Sequence, residues 1–376
     1  VDTANAAPAL DPRFSPDGKL IAYVQEDEIW LVPALGGPAR QLTHGAHAVG
    51  RTHGLADYIA QEEMDRQQGY WWSPQGNWIA FEEVDESHIP LYHIVHQGKD
   101  FEDAPVEEEH RYPFAGKANP HVRLGLIPTA GGQVTWLDLG PDPDIYLARA
   151  GWLPDGRPWA QVENREQTSL DLLVFDPHTG QAQRLLHETS AVWINLHDMF
   201  RPLKEGPYAG GFIWASERTG FRHLYLYDAA GNLLRPLTGQ PYDAGEWQVD
   251  ELCAVDEARH LVYFAASMDT PLERHLYVAS LDGGPARRIT QAPGMHTLIL
   301  DHGLRQFVDL FDALDAPPSA SLRRLEDGAL LHTIYANDDP RLEGLQLQPP
   351  QVVSLPNRDG VTLHGLLYSP PESFGP

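Results

Sequence analysis

Phe14-Ser15-Pro16-Asp17-Gly18-Lys19-Leu20-Ile21-Ala22-Tyr23 returns as Trp72-Ser73-Pro74-Gln75-Gly76-Asn77-Trp78-Ile79-Ala80-Phe81 and, more loosely, as Trp152-Leu153-Pro154-Asp155-Gly156-Arg157-Pro158-Trp159-Ala160. Each copy reads as a tight turn feeding a strand. Pro presets φ at the second turn position, Gly supplies an open conformation near the end, and the apolar residues that follow suit a buried strand. A second element recurs downstream: Ile29-Trp30-Leu31-Val32 through Gly36-Gly37 to Leu42-Thr43 matches Leu276-Tyr277-Val278-Ala279 through Gly283-Gly284 to Ile289-Thr290. Weaker copies run from Leu224 to Thr238 and from Leu172 to Leu185. This is a strand, a hairpin and another strand. Together the two elements make a four-stranded antiparallel unit of about 40 to 50 residues, the size of a propeller blade. A β-sandwich would not repeat the same turn chemistry in the same order. The expected fold is therefore all-β, a partial β-propeller of about five or six blades. The last expected blade, around Leu298–Leu300 and Phe307–Phe311, keeps its strands and loses the Ser-Pro.

Composition limits the function. The chain has 376 residues, 42% of them apolar, enough for a sizeable core. With 27 Lys+Arg against 53 Asp+Glu its formal charge is −26. That argues against nucleic acid or an anionic membrane as partner, since both require a basic face. No apolar run reaches the length of a membrane span. Cys253 is the only cysteine, which excludes an intramolecular disulfide. The start at Val1 without a leader suggests a processed product or a fragment. After Pro349-Pro350 the register changes, and Val352–Tyr368 reads as a hairpin outside the repeat. The expected division is a propeller over 1–345, then a linker and first strands of a further domain over 346–376.

Between the first two turns, Gly54–Gly69 reads as a short helix, with Leu55, Tyr58 and Ile59 on one face. It carries Glu62-Glu63, adjacent carboxylates whose side chains diverge by about 100° and still reach one ammonium group from two sides. The spacing alone equally allows a plain surface ion pair between Glu62 and Arg66 at i,i+4. The Glu107-Glu108-Glu109 run reads as a solvated loop between Pro105 and Pro113. There is no Gly-x-Ser-x-Gly elbow, phosphate-binding Gly loop or His-Glu-x-x-His. His44, His47 and His53 read as loop histidines, and no metal or cofactor is expected. Trp71, Trp72, Trp78, Trp152 and Trp159 are expected in the core.

Several motifs in order resemble the propeller part of the dipeptidyl peptidase IV family of serine exopeptidases, near its bacterial members and the branch of dipeptidyl peptidases 8 and 9. They are Asp57–Arg66, Gly69-Tyr70-Trp71-Trp72-Ser73-Pro74, Asp85-Glu86-Ser87, Arg111-Tyr112-Pro113-Phe114 through Asn119-Pro120, Trp193–Phe200, and Glu217-Arg218-Thr219-Gly220-Phe221-Arg222-His223-Leu224-Tyr225. The resemblance spans nearly the whole chain. It implies an eight-bladed propeller, here truncated on its N-terminal side, followed by an α/β-hydrolase domain. It also implies that Glu62 and Glu63 hold the free N-terminus of a peptide, with His197 near the second-residue pocket; Arg66, whose role the resemblance does not fix, and Tyr58 are expected in support. Fixing the ammonium fixes how many residues reach the nucleophile, so dipeptides are released, with Pro or Ala expected at the second position. Arg66, one turn beyond Glu62, is expected to offset the repulsion of the pair and keep both ionised. The family's catalytic Ser, Asp and His and its oxyanion Tyr belong to the hydrolase domain. No catalytic residue is therefore expected here.

The implied partners are a peptide with a free N-terminus and the chain's own hydrolase domain; a homodimer is allowed. Localisation is left open, with the periplasm favoured over the cytoplasm. The alternatives are a non-enzymatic protein-binding propeller of the periplasmic Tol-associated type, and the propeller of an oligopeptidase or acylaminoacyl peptidase. Neither has a use for the Glu pair.

Overall fold

Ser15 shows why the turn repeats. Its N–H donates to the Leu20 carbonyl at 2.8 Å, the Gly18 N–H returns to the Ser15 carbonyl at 2.8 Å, and its hydroxyl accepts from the Leu20 N–H at 2.9 Å. Ser73 repeats all three bonds with Trp78 and Gly76. Gly18 and Gly76 both adopt φ 71°, in the left-handed region that glycine enters without penalty. The turn therefore closes a hairpin between the first and second strands of a blade.

A computed structural model describes residues 7–47, 50–96, 107–345 and 348–369; the ends of the expected segment 346–376 lie outside them. The chain falls into two units, the second taking Asp198–Ala229 and the residues from Leu233 onward. In the first unit, β1 (Leu10–Phe14), β2 (Leu20–Gln25), β3 (Glu28–Pro33) and β4 (Arg40–Gln41) form an antiparallel sheet in sequence order. The second sheet starts with β5 (Arg51–His53), detours through α1 (Tyr58–Glu63), and resumes with β6 (Tyr70–Trp72) and β7 (Trp78–Asp85). A separate hairpin follows, β8 (Leu91–Val95) and β9 (Glu107–Arg111), before β10 (His121–Pro128) and β11 (Thr135–Trp136) complete the sheet. The third sheet is β12 (Ile145–Trp152), β13 (Pro158–Asn164), β14 (Ser169–Phe175) and β15 (Ala182–Thr189).

The second unit repeats the pattern. Its sheets are β16 (Arg201–Pro202), β17 (Phe212–Ser216), β18 (His223–Tyr227) and β19 (Leu233–Pro236); then β20 (Val249–Asp256), β21 (Leu261–Ala266), β22 (His275–Ser280) and β23 (Arg287–Arg288); then β24 (Met295–Leu300), β25 (Gln306–Ala313), β26 (Ala316–Arg324) and β27 (Leu330–Tyr335). A short helix, α2 (Arg341–Leu345), precedes a hairpin of β28 (Gln351–Pro356) and β29 (Thr362–Leu367). The described residues thus hold six blade sheets of a β-propeller, and none of their helices is long and apolar enough to cross a membrane.

Two details explain repeat chemistry beyond the turn. The threonine ending three of the second elements is a strand tie: Thr43, Thr238 and Thr290 accept through Oγ1 from the N–H of Ile29, Leu224 and Leu276 at 2.8, 2.9 and 3.1 Å. In the sixth sheet Asp301 replaces the turn serine, accepting from the Arg305 and Gln306 N–H groups at 2.7 and 2.8 Å. The sequence reading missed one copy, in which Gly131-Gly132 joins β10 to β11 with both glycines at positive φ. The Glu107–Glu109 run, expected as a loop, is strand β9. Its glutamates meet histidines, Glu109 with His93 on β8 at 3.3 Å and Glu108 with His96 at 2.9 Å.

Successive sheets within a unit share a core. Ala22, Val24 and Leu31 of the first pack with Ile79 and Phe81 of the second, and Ala80, Val84 and Leu124 of the second pack with Ala160, Val162 and Phe175 of the third. Each large buried side chain contributes about 1.5 to 3 kcal/mol. The tryptophans expected in the core are half-buried instead, and Trp71, Trp78 and Trp152 lie against its edge.

One charged network is buried between the first two sheets. His53 on β5, 5% exposed, places Nδ1 2.8 Å from Glu28 on β3 and Nε2 3.0 Å from Glu83 on β7. Burial alone would lower the imidazole, but the two carboxylates outweigh it and hold His53 up at about 9. His53 is therefore an imidazolium pinning two sheets rather than a loop residue. A folded-state value above the ordinary 6.5 means a contribution complete below about pH 6.5 and lost as pH rises through about 9. At about 1.4 kcal/mol per unit it amounts to about 3.5 kcal/mol at most. We expect His53→Gln to lower unfolding free energy near pH 6.5 and the gap from the parent to close by pH 10, read by urea denaturation across that range. A gap that stays constant with pH would contradict the charged assignment.

Candidate amine-binding site

The helix exists because Asp57 starts it. Its Oδ1 accepts from the Ile59 and Ala60 N–H groups at 3.0 and 3.2 Å, capping donors that a helix start leaves open. The helix ends within two turns, since Asp65 takes a left-handed conformation at φ 51°. It is shorter than the Gly54–Gly69 expected; its one buried residue, Ala60, joins Ala56 and Met64 from the segments flanking the helix in a cluster with Ala148. Tyr58, expected on one face with Leu55 and Ile59, is 40% exposed.

That orientation turns Glu62 and Glu63 outward. Both are exposed in the last turn of α1, and neither carboxylate has a hydrogen-bond or ion-pair partner among the described residues. Tyr58 stands one turn earlier, edge-on to Tyr112 with ring centroids 5.2 Å apart. Its phenol is held above the ordinary range, first by the Tyr112 hydroxyl beside it, then by burial and the charges of Glu62 and Glu63. Two free carboxylates with a phenol alongside supply acceptors for the three N–H groups of an ammonium ion.

Arg66 corrects the expectation made for it. It does not face Glu62; it is 5% exposed and grips Glu82 on β7, which is fully buried. Nη1 lies 2.5 Å from Oε2 and Nη2 3.1 Å from Oε1, a bidentate pair, while Nη2 also donates to the Leu147 carbonyl on β12 at 2.9 Å. Asp57 Oδ2 is 3.6 Å from the same guanidinium. Burial pushes the Glu82 carboxyl up, to about 7, against the downward pull of Arg66. One buried cluster thus ties the cap of α1 and the residue just past its end to the second and third sheets. Like-charge repulsion between Glu62 and Glu63 is met by solvent exposure, not by Arg66.

His197 lies in the loop between β15 and β16, half-buried. Leu196 beside it packs on the Ala56–Ala60–Met64 cluster beneath α1. The sequence reading missed Glu82, although a signal existed: Glu82-Glu83 interrupt an otherwise apolar strand, and buried carboxylates require partners. Of the histidines considered for metal, His47 pairs with Asp27 and His53 with two glutamates.

Residues 2–318 match the family model described as the dipeptidyl peptidase IV (DPP IV) N-terminal region. Dipeptidyl peptidase 8 of Mus musculus is 30% identical over 98% of this chain and 50% of its own length, and that of Homo sapiens is 28% identical with the same coverage. A probable dipeptidyl peptidase 4 of Aspergillus flavus is 28% identical over 71% of this chain and 35% of its own. The crystal structure of Porphyromonas gingivalis dipeptidyl peptidase 4 superposes with a TM-score of 0.84 at 23% identity, covering 95% of this chain and 50% of that one, which is a likeness of fold. The chain spans about half the length of the curated dipeptidyl peptidase 8 relatives. These matches favour the expected family over the Tol-associated scaffold. The chain belongs to the dipeptidyl peptidase IV N-terminal region family.

Proposed function

We propose that this chain is the substrate-gating, N-terminus-binding propeller of a serine dipeptidyl aminopeptidase that removes dipeptides from peptide N-termini. Residues 1–345 serve as propeller and 346–376 lead into the α/β-hydrolase domain that supplies Ser, Asp and His. Glu62 and Glu63 take the free ammonium, Tyr58 stands beside them, and His197 lines the pocket for the second residue, where Pro or Ala is accepted. The observation that carries this reading is a pair of exposed, partnerless carboxylates on a helix whose underside is locked by a buried ion pair. A surface pair of no consequence would not require so rigid a base. The acidity of the chain, −26 overall, favours a cationic peptide end near the site.

In the full-length peptidase, Glu62→Ala and Glu63→Ala are each expected to lower kcat/KM on a dipeptidyl chromogenic substrate by roughly tenfold to a hundredfold, the loss of one or more charge-assisted contacts. Unchanged kcat/KM in both variants overturns the assignment.

Arg66 acts through the helix, so its replacement should look different. Arg66→Ala leaves Glu82 buried without its counter-charge and is expected to destabilise the fold by roughly 3 to 5 kcal/mol. In whatever fraction stays folded, kcat/KM drops by a factor that does not grow toward acidic pH, where Glu82 is protonated and no longer needs its counter-charge. A loss concentrated at acidic pH would mean that Arg66 acts electrostatically on Glu62 and Glu63 after all. Combining Arg66→Met with Glu82→Leu should recover most of the stability.

A further inference from the structure

Tyr58 also lines a cavity of about 400 Å³ bounded by α1, the end of β7 and the β8/β9 hairpin. Its walls are aromatic and acidic. Besides packing on Tyr58, the Tyr112 ring stands 6.2 Å from Tyr92, and all three face the cavity. Glu86 opens onto the same space, and its carboxylate has no hydrogen-bond or ion-pair partner among the described residues. Burial, then Asp57, push its carboxyl above the usual range, while Arg111 and His88 pull it down.

Two basic side chains line the cavity, and both are engaged away from Glu86. Arg111 Nη1 donates to the Ile89 carbonyl at 2.6 Å and to that of Ser87 at 3.4 Å. His110 Nε2 meets Glu108 at 2.5 Å. An apolar occupant would strip water from Glu86 and offer no hydrogen bond in return. An organic cation is favoured twice, by the carboxylate and by the negative faces of the tyrosine rings.

The helix connects this cavity to the amine site. Tyr58 and Glu62 stand at i,i+4 on one face of α1, and the phenol senses both Glu62 and Glu63. The first residue of a peptide carries its amine and its side chain on one Cα. Tyr58 is common to the cavity wall and to the surroundings of the two glutamates, which puts the cavity next to the place where that side chain departs from the amine.

We propose that the cavity receives the guanidinium or ammonium of a basic side chain on the first residue of the peptide, with Glu86 as counter-charge and Tyr58, Tyr92 and Tyr112 as walls. This inference rests on the amine-binding role of Glu62 and Glu63.

The test uses the full-length peptidase and dipeptidyl substrates that differ only in the first residue, arginine against the uncharged norleucine. The parent is expected to favour arginine. Glu86→Gln is expected to lower the arginine-to-norleucine ratio of kcat/KM about tenfold, and Glu86→Lys to reverse the preference. Thermal melts establish that both variants are folded, and an unchanged ratio in folded variants overturns the inference. Agmatine separates the source of the cation: if it raises the melting temperature of the parent but not of Glu86→Gln while the ratio stays fixed, the cavity takes a free cation and the substrate assignment is overturned. Intact turnover in Glu62→Ala and Glu63→Ala overturns this inference together with the amine-binding reading. Lost turnover there with an unchanged ratio in Glu86→Gln overturns this inference alone.

Discussion

The site depends on one buried ion pair. Arg66 and Glu82 are almost wholly removed from water, and such a pair is stable only where geometry and further hydrogen bonds repay desolvation. Here the bidentate contact, the Leu147 and Gln68 carbonyls and the nearby Asp57 carboxylate do so. A helix of six residues has little stability of its own, since nucleation is costly and tertiary contacts must hold it. Because Asp57 caps the helix and also approaches Arg66, helix formation and ion pairing are one event. The outward direction of Glu62 and Glu63 follows from what lies beneath them.

The propeller supplies a stiff frame for that arrangement. Several blades are closed by a short set of hydrogen bonds, from the turn serine in the first two sheets, Asp301 in the sixth, and the terminal threonine in the first, fourth and fifth. Side chains between neighbouring sheets then form continuous cores within each unit. The His53 imidazolium adds a charged rivet between the first two sheets, one strand away from the α1 insertion. Its neighbour in sequence, Gly54, passes so close to Ile29 that an added Cβ would sit 2.8 Å from that side chain, so the chain leaves β5 for α1 by a route open to glycine alone.

Much of this was legible beforehand, and the reasons are specific. Fixed turn residues such as Ser15-Pro16 and Ser73-Pro74 report local backbone geometry, so they revealed blades directly. The sixth sheet was harder because Asp301 does the work of serine with a different side chain. Glu62 and Glu63 stood out as adjacent carboxylates in an insertion. The direction of Arg66 did not, because i,i+4 spacing describes a regular helix and Asp65 ends the helix before that spacing applies. Glu82 went unnoticed because its partner lies sixteen residues away across a sheet edge, a separation that periodicity does not encode. The β8/β9 hairpin was hidden by its charge: glutamates facing histidines across two strands look like a solvated run when read along one.

The account turns on the claim that the glutamate pair measures substrates from a free N-terminus. The most direct measurement is mass spectrometry of products released by the full-length peptidase from one peptide supplied with a free and with an acetylated N-terminus. The account predicts an intact-length dipeptide fragment from the free peptide and none from the acetylated one, since an amide cannot present an ammonium to Glu62 and Glu63. Equal cleavage of both, or cleavage at internal bonds without regard to the N-terminus, would contradict it.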